Sequence, residues 1–273
     1  MRILNKYSSW LIIAIICIYL GLYLLNNKNS FLGKFDSDYF GQLYSKSQYV
    51  IGELSKGGIG DDGLYAFAGY FYTFAGGDVS SVNFEHPPLG KYLIGLSILV
   101  FQNENIINIL YFILLLILTY KIGQLILPDK ILSLSAVLVL TFDPLFLDNL
   151  IRSLLDLPFA LFFITGVYFF LEGLNRSRLF NLSFIFWGGA FSTRFFPAFI
   201  FIYLYLLLFI YIYKRKLLQA YLISSIVVPT VYLLAHISFF VYHPSLIEFL
   251  RHKKWMLNWF TGSPVILGNI WII

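Results

Sequence analysis

Apolar residues fill this chain in long blocks separated by short polar connections. The blocks lie at residues 10–25, 106–126, 131–147, 157–171, 179–191, 195–213 and 217–240. Several reach the ~20 residues a helix needs to cross ~30 Å of hydrocarbon, and the shorter ones lean on flanking Trp, Tyr or polar residues. The pattern predicts an all-α polytopic membrane protein with about seven transmembrane helices. A further block, 89–101, is too short to span, and its fate sets the orientation of everything after it. If it crossed, Arg176, Arg178 and Lys214-Arg215-Lys216 would fall outside; if it dips in and returns, they fall inside with Lys121 and Lys130, as the positive-inside rule prefers. We adopt the second arrangement, with the N-terminus inside and the C-terminal segment outside. The first block follows basic residues and is trailed by Asn26-Asn27-Lys28-Asn29, which offers no small-residue cleavage site, so it reads as an uncleaved signal-anchor.

Composition agrees: 59% of residues are hydrophobic, 12% are charged and the mean hydropathy is +0.78, far from the soluble globular range. A net charge of +5, spread as short clusters beside apolar blocks, argues against a nucleic-acid partner. Cys17 is the only cysteine, so neither an internal disulfide nor a cysteine-based metal site can form.

In that orientation the chemically suggestive residues share one face. The chain reads as a single domain, 1–273: a first helix at 10–25, a long external loop over 26–105, six further helices over 106–240 and an external tail over 241–273. The external loop carries Gly60-Asp61-Asp62-Gly63-Leu64-Tyr65 and Phe84-Glu85-His86-Pro87-Pro88-Leu89-Gly90-Lys91. Between them, 64–74 is rich in Tyr and Phe and predicts an interfacial helix. A carboxylate can act as a base and a lysine can bind phosphate as a point charge. Asp61 and Asp62 can equally serve as caps of the helix that follows. A second external connection holds Asp148, Arg152 and Asp156, a third holds Ser192-Thr193-Arg194, and Asp143 before Pro144 reads as a helix-ending turn.

Taken together, Gly60-Asp61-Asp62 with Tyr65, Gly76-Gly77, and His86-Pro87-Pro88-Leu89-Gly90-Lys91 resemble the first external loop of the protein O-mannosyltransferase family, within the GT-C superfamily of glycosyltransferases. Arg152-Ser153-Leu154-Leu155-Asp156 is similar to that family's Arg-x-x-Leu-Leu-Asp stretch, and Gly188 to Arg194 to its small-residue helix ending in Thr-Lys or Thr-Arg. The resemblance implies a GT-C-like bundle with interfacial helices in the first loop. It also implies a membrane enzyme of the plasma or endoplasmic reticulum type, acting on the extracytoplasmic side. The reaction implied moves a sugar, foremost mannose, from a polyprenyl- or dolichyl-phosphate donor to a hydroxyl acceptor such as Ser or Thr of exported proteins. It proceeds by direct displacement with inversion.

The resemblance implies Asp61 as general base with Asp62 behind it, and Lys91, Arg152 and Arg194 as cations for the donor phosphate. Glu85, His86, Asp156 and Tyr65 support them. The usual Asp-Glu pair is here Asp61-Asp62, which keeps both carboxylates. Asp156 either steadies Arg152 or a bound cation, or simply opens a helix. Glu85 and His86 could join a divalent cation, yet they supply too few ligands for zinc, so no metal site is assigned and His86 is expected to buttress the Pro87-Pro88 turn. Arg251-His252-Lys253-Lys254 sit in a basic amphipathic stretch, where Arg251, Lys253 and Lys254 either grip phosphate or anchor the tail among membrane lipids. Relatives extend beyond an external loop that here begins near Ser263, so a catalytically silent or truncated partner subunit stands beside the enzyme, as does a transferase to a lipid or glycan acceptor. A dimer is a further option that the resemblance leaves open.

Overall fold

The computed structural model describes residues 2–262, which form helices and connecting turns with no strand among them. In chain order the α-helices are α1 (Arg2–Asn26), α2 (Asn29–Leu32), α3 (Ser37–Ser45), α4 (Gln48–Ile51), α5 (Asp61–Thr73), α6 (Leu89–Phe101), α7 (Ile106–Ile126) and α8 (Lys130–Thr141). They continue as α9 (Pro144–Ile151), α10 (Asp156–Gly173), α11 (Leu179–Thr193), α12 (Phe199–Tyr213), α13 (Leu218–Ser225), α14 (Val227–Ala235), α15 (Ile237–Tyr242) and α16 (Leu246–Phe260). The expected loop start at Ser263 lies outside the described residues.

Among the described residues, four stretches are long and apolar enough to cross a membrane: Ser8–Asn26, α7, α10 and Arg215–Ala235. Helices α8 and α9 make a fifth only as a pair bent by 60°. The bend has a local cause. Pro144 cannot continue the hydrogen-bond ladder of α8, and Asp143 Oδ1 accepts from Phe146 N at 2.8 Å to cap α9, so the turn expected at Asp143-Pro144 is present. Seven crossings are not matched by length alone: α11 and α12 have 15 residues each. At 1.5 Å per residue each is about 22 Å long, short of ~30 Å of hydrocarbon.

Helix α5 is a helix as the aromatic run predicts, and much of it is buried in the protein. Leu64, Tyr65, Ala66, Ala68 and Tyr72 are buried. Its packing against α6 depends on two glycines: a Cβ on Gly69 would lie 2.5 Å from Lys91 O, and one on Gly95 would lie 2.3 Å from Gly69 O. Only hydrogen atoms fit there, so the two backbones touch and the His-Pro-Pro turn is held against α5. Farther along, α10 and α11 pack around Phe170, Phe180, Phe184 and Trp187, all buried, with Trp187 Nε1 donating to Phe163 O at 3.2 Å. That pairing carries Asp156 at the start of α10 to the level of Arg194 at the end of α11.

Candidate active site

The acidic pair stands at the start of α5, where Gly60 is the N-cap residue and Asp61 and Asp62 occupy the first turn. Neither aspartate is the N-cap residue, although Asp62 Oδ1 accepts from Gly63 N at 2.9 Å within the first turn; both carboxylates stand at the positive end of the helix dipole, a favourable place for them. Adjacent positions on a helix point in different directions, and the pair divides accordingly. Asp62 Oδ2 accepts from Arg152 Nε at 3.1 Å, and Ser153 Oγ donates to Asp62 O at 2.9 Å. Arg152 is shared, since its Nη1 donates to Asp148 Oδ2 at 3.2 Å, and these carboxylates raise the guanidinium pKa further.

Asp61 is exposed, and its charge is felt by Tyr65 and Tyr49. The phenol of Tyr65 is pushed far up, first by burial, then by the charges of Asp61 and Glu85, with Asp156 adding and Arg194 opposing. Tyr49 is pushed up in the same way by burial, Glu85 and Asp61. Tyr65 thus lies within the field of all four charged groups, which come from α5, the His-Pro-Pro turn, α10 and the end of α11. Arg194 Nη1 donates to Asp156 Oδ1, and both side chains remain more than a third exposed.

Lys91 is placed differently from the two arginines. Its side chain is fully buried, and Nζ donates to Asn83 O at 2.5 Å, Asn83 Oδ1 at 3.0 Å and His86 O at 2.7 Å. Burial lowers its pKa and Glu85 opposes that shift, while three acceptors match the three protons of an ammonium. In this geometry the lysine ties the 83–86 turn and has no proton left over. Glu85 is also buried; desolvation raises its pKa, against the pull of backbone N–H, Lys91 and a hydrogen bond from Tyr49. The His86 ring lies between Tyr65 and Phe260, at centroid separations of 5.9 and 5.3 Å. Burial, Lys91 and Arg194 push its pKa down to about 3, so it is neutral at physiological pH.

The tail helix α16 reaches the same turn. His252 Nε2 donates to Phe84 O at 2.9 Å, Trp255 packs on Phe84 with ring centroids 4.6 Å apart, and Trp255 and Met256 are wholly buried. The basic stretch is therefore split. Arg251 and Lys254 are exposed, whereas Lys253 Nζ is bonded to His236 Nε2 at 2.8 Å and lies over the Tyr232 and Phe249 rings. On the opposite side α16 exposes Leu246, Ile247, Leu250 and Leu257, as an interface-seated helix does. It is both a docked element of the site region and an apolar outer face.

Among the described residues, no group of three or more His, Cys, Asp or Glu is arranged to hold a metal ion. Glu85 is directed to Tyr49 and His86 to Tyr65 and Phe260, so the adjacent pair does not converge. The structure adds four residues to those anticipated as partners of the site: Tyr49, Asn83, Ser153 and His252. Tyr49 and Asn83 belong to no motif, whereas Ser153 lies inside the Arg152–Asp156 stretch and His252 inside the basic run 251–254.

A multi-pass helical membrane protein whose carboxylates and guanidiniums gather around one loop has the makings of a membrane-surface transferase. The model of the dolichyl-phosphate-mannose-protein mannosyltransferase family matches residues 85–247, more than half of the chain, and the chain belongs to that family. It is accordingly a glycosyltransferase by family, as its motifs led us to expect. No curated protein matches it, and no solved structure does.

Proposed function

We propose that this glycosyltransferase moves mannose from a polyprenyl- or dolichyl-phosphate donor onto a Ser or Thr hydroxyl of exported proteins, on the extracytoplasmic side of a bundle of about seven spans. The observation that carries the reading is the division of labour in the acidic pair. Asp62 is engaged by Arg152, whereas Asp61 is exposed beside Tyr65, with Arg194 across the same space.

Asp61 accepts the proton of the acceptor hydroxyl as its oxygen forms a bond to the anomeric carbon. The bond from that carbon to the phosphate oxygen breaks on the opposite face, which inverts the centre, and its electron pair leaves with the lipid phosphate. Of the three expected donor-phosphate cations, Arg194 and Arg152 are the ones with exposed guanidiniums, whereas Lys91 is buried, and guanidinium suits bidentate phosphate contact. Asp156 and Asp62 hold the two guanidiniums in place, and Lys91 acts on the site through the turn it ties.

Transfer by the purified chain in nanodiscs, from radiolabelled polyprenyl-phosphate mannose to a Ser/Thr-rich peptide, tests the reading with Asp61→Asn beside it. Transfer that vanishes in the variant supports it. An unaffected variant removes Asp61 as the base. Donor binding without transfer points to a lipid or glycan acceptor, and no binding points to a silent subunit.

A further inference from the structure

We propose that a groove between α1, α7 and α8 holds an anionic phospholipid in the membrane half opposite the candidate active site. The groove has a volume of about 570 Å³. It lies at the far end of α7: Asn108, near the start of that helix, donates to Arg152 O at 2.8 Å, whereas Tyr120 lines the groove near its end. Its lining is graded. Trp10, Tyr120 and Lys130 stand at one end, while Leu20, Ile113 and Val137 close the other.

Depth selects the occupant. From Trp10 to Leu20 the groove follows ten residues of α1, about 15 Å at 1.5 Å per residue. That is half of a ~30 Å hydrocarbon core, the reach of an acyl chain in one leaflet.

Charge selects the headgroup. Lys130 is exposed at the first position of α8, and no carboxylate among the described residues forms an ion pair with it. Its neighbour Asp129 is turned back to cap α8, accepting from Ile131 N at 3.0 Å. Tyr120 Oη accepts from Gln124 Nε2 at 2.8 Å, so its own proton can be donated outward. Trp10 is 63% exposed at the mouth, the level at which indole rings favour the headgroup region. A cation, a hydroxyl donor and an indole above an apolar trough fit a phosphodiester headgroup with its chain below.

Native mass spectrometry of the full chain, released from nanodiscs containing equal phosphatidylglycerol and phosphatidylcholine, reads the site without donor or acceptor. Its outcome is therefore independent of the transfer reaction. The wild type should retain phosphatidylglycerol about fivefold over phosphatidylcholine, the preference one lysine gives near an anionic headgroup. Lys130→Gln should bring the ratio to about one, Lys216→Gln should leave it unchanged, and Ile117→Trp, which fills the trough, should lower retention of both lipids. Equal retention by the wild type, a preference that survives Lys130→Gln, an equal loss in Lys216→Gln, or undiminished retention in Ile117→Trp would each overturn the proposal.

Discussion

Arg194 and Asp156 pair across the ends of two antiparallel helices: the arginine is the C-cap of α11 and the aspartate opens α10. Each charge complements the dipole of its own helix as well as its partner. With 41% and 47% of the side chains exposed, the pair sits in the range where ion pairs contribute about 0–1 kcal/mol. Its importance is thus positional, since it presents a guanidinium to the space beside Tyr65.

Arg194→Ala should therefore leave thermal stability in detergent within about 1 kcal/mol of the wild type. The donor KM should rise tenfold or more, and Arg194→Lys should recover part of the loss, because a point charge cannot reproduce a bidentate contact. Donor saturation curves for the three proteins decide it; identical KM values would take Arg194 out of donor binding.

Lys91→Met should act mainly on folding. It strips the donor from Asn83 O, Asn83 Oδ1 and His86 O in a buried turn, where each stranded acceptor costs about 1–3 kcal/mol. Thermal unfolding should show a loss of several kcal/mol, and Lys91→Arg should not restore it, because a planar guanidinium does not fit around one point. A variant of normal stability that had lost only donor binding would make Lys91 a phosphate ligand instead.

Gly69→Ala tests the contact between α5 and α6. The added methyl would meet Lys91 O at 2.5 Å and Gly95 N at 2.8 Å, both backbone atoms with nowhere to move. Overpacking of this kind costs about 1–3 kcal/mol and shifts backbone. Transfer should fall together with the unfolding temperature, whereas Gly21→Ala, with nothing within 4 Å of the new methyl, should change neither.

Acid should loosen the dock of α16 on the His-Pro-Pro turn. Burial lowers the pKa of His252, with Lys253 adding, and brings that of His86 down to about 3. The unfolded chain, with histidines near 6.5, then binds more protons than the folded one below that pH. The histidine contribution to stability is thus complete above pH 6.5 and is lost as pH falls from 6.5 towards 3, at up to about 1.4 kcal/mol per pH unit for each histidine. Hydrogen-exchange protection factors over residues 246–260, taken against the intrinsic exchange rate at each pH, should be lower at pH 5 than at pH 7, and equal protection at the two would contradict the argument.

How much of this was legible in the sequence depends on how far each residue reaches. Apolar blocks located the long helices, and short motifs drew attention to Asp62, Arg152, Asp156 and Arg194, but not to their pairing: Asp156, expected beside Arg152, pairs with Arg194, while Arg152 is held by Asp62 and Asp148. Lys91 was harder. The resemblance implies a cation for the donor phosphate, but in the structure its long side chain folds back eight positions to Asn83. The basic run 251–254 looked uniform on paper, yet successive residues on a helix face different ways, so His252 and Lys253 went inward while Arg251 and Lys254 went out. Tyr49 left no trace in any pattern, because its link to Glu85 depends on tertiary packing alone. Hydropathy counts seven apolar blocks, whereas four described stretches, or five with the bent pair, are long enough to cross by themselves, because α11 and α12 have 15 residues each.

The bend at Asp143-Pro144 sets a height. Helix α9 has 8 residues, about 12 Å of rise, and turns 60° from the line of α8. Tilted so, it advances only about 6 Å along that line; unbent, it would lift its end roughly 6 Å farther from the membrane. Arg152 follows directly on α9, and its bond to Asp62 tolerates no such displacement. A proline in the middle of a membrane segment thereby acts as a depth gauge, keeping a guanidinium level with a carboxylate ninety residues away.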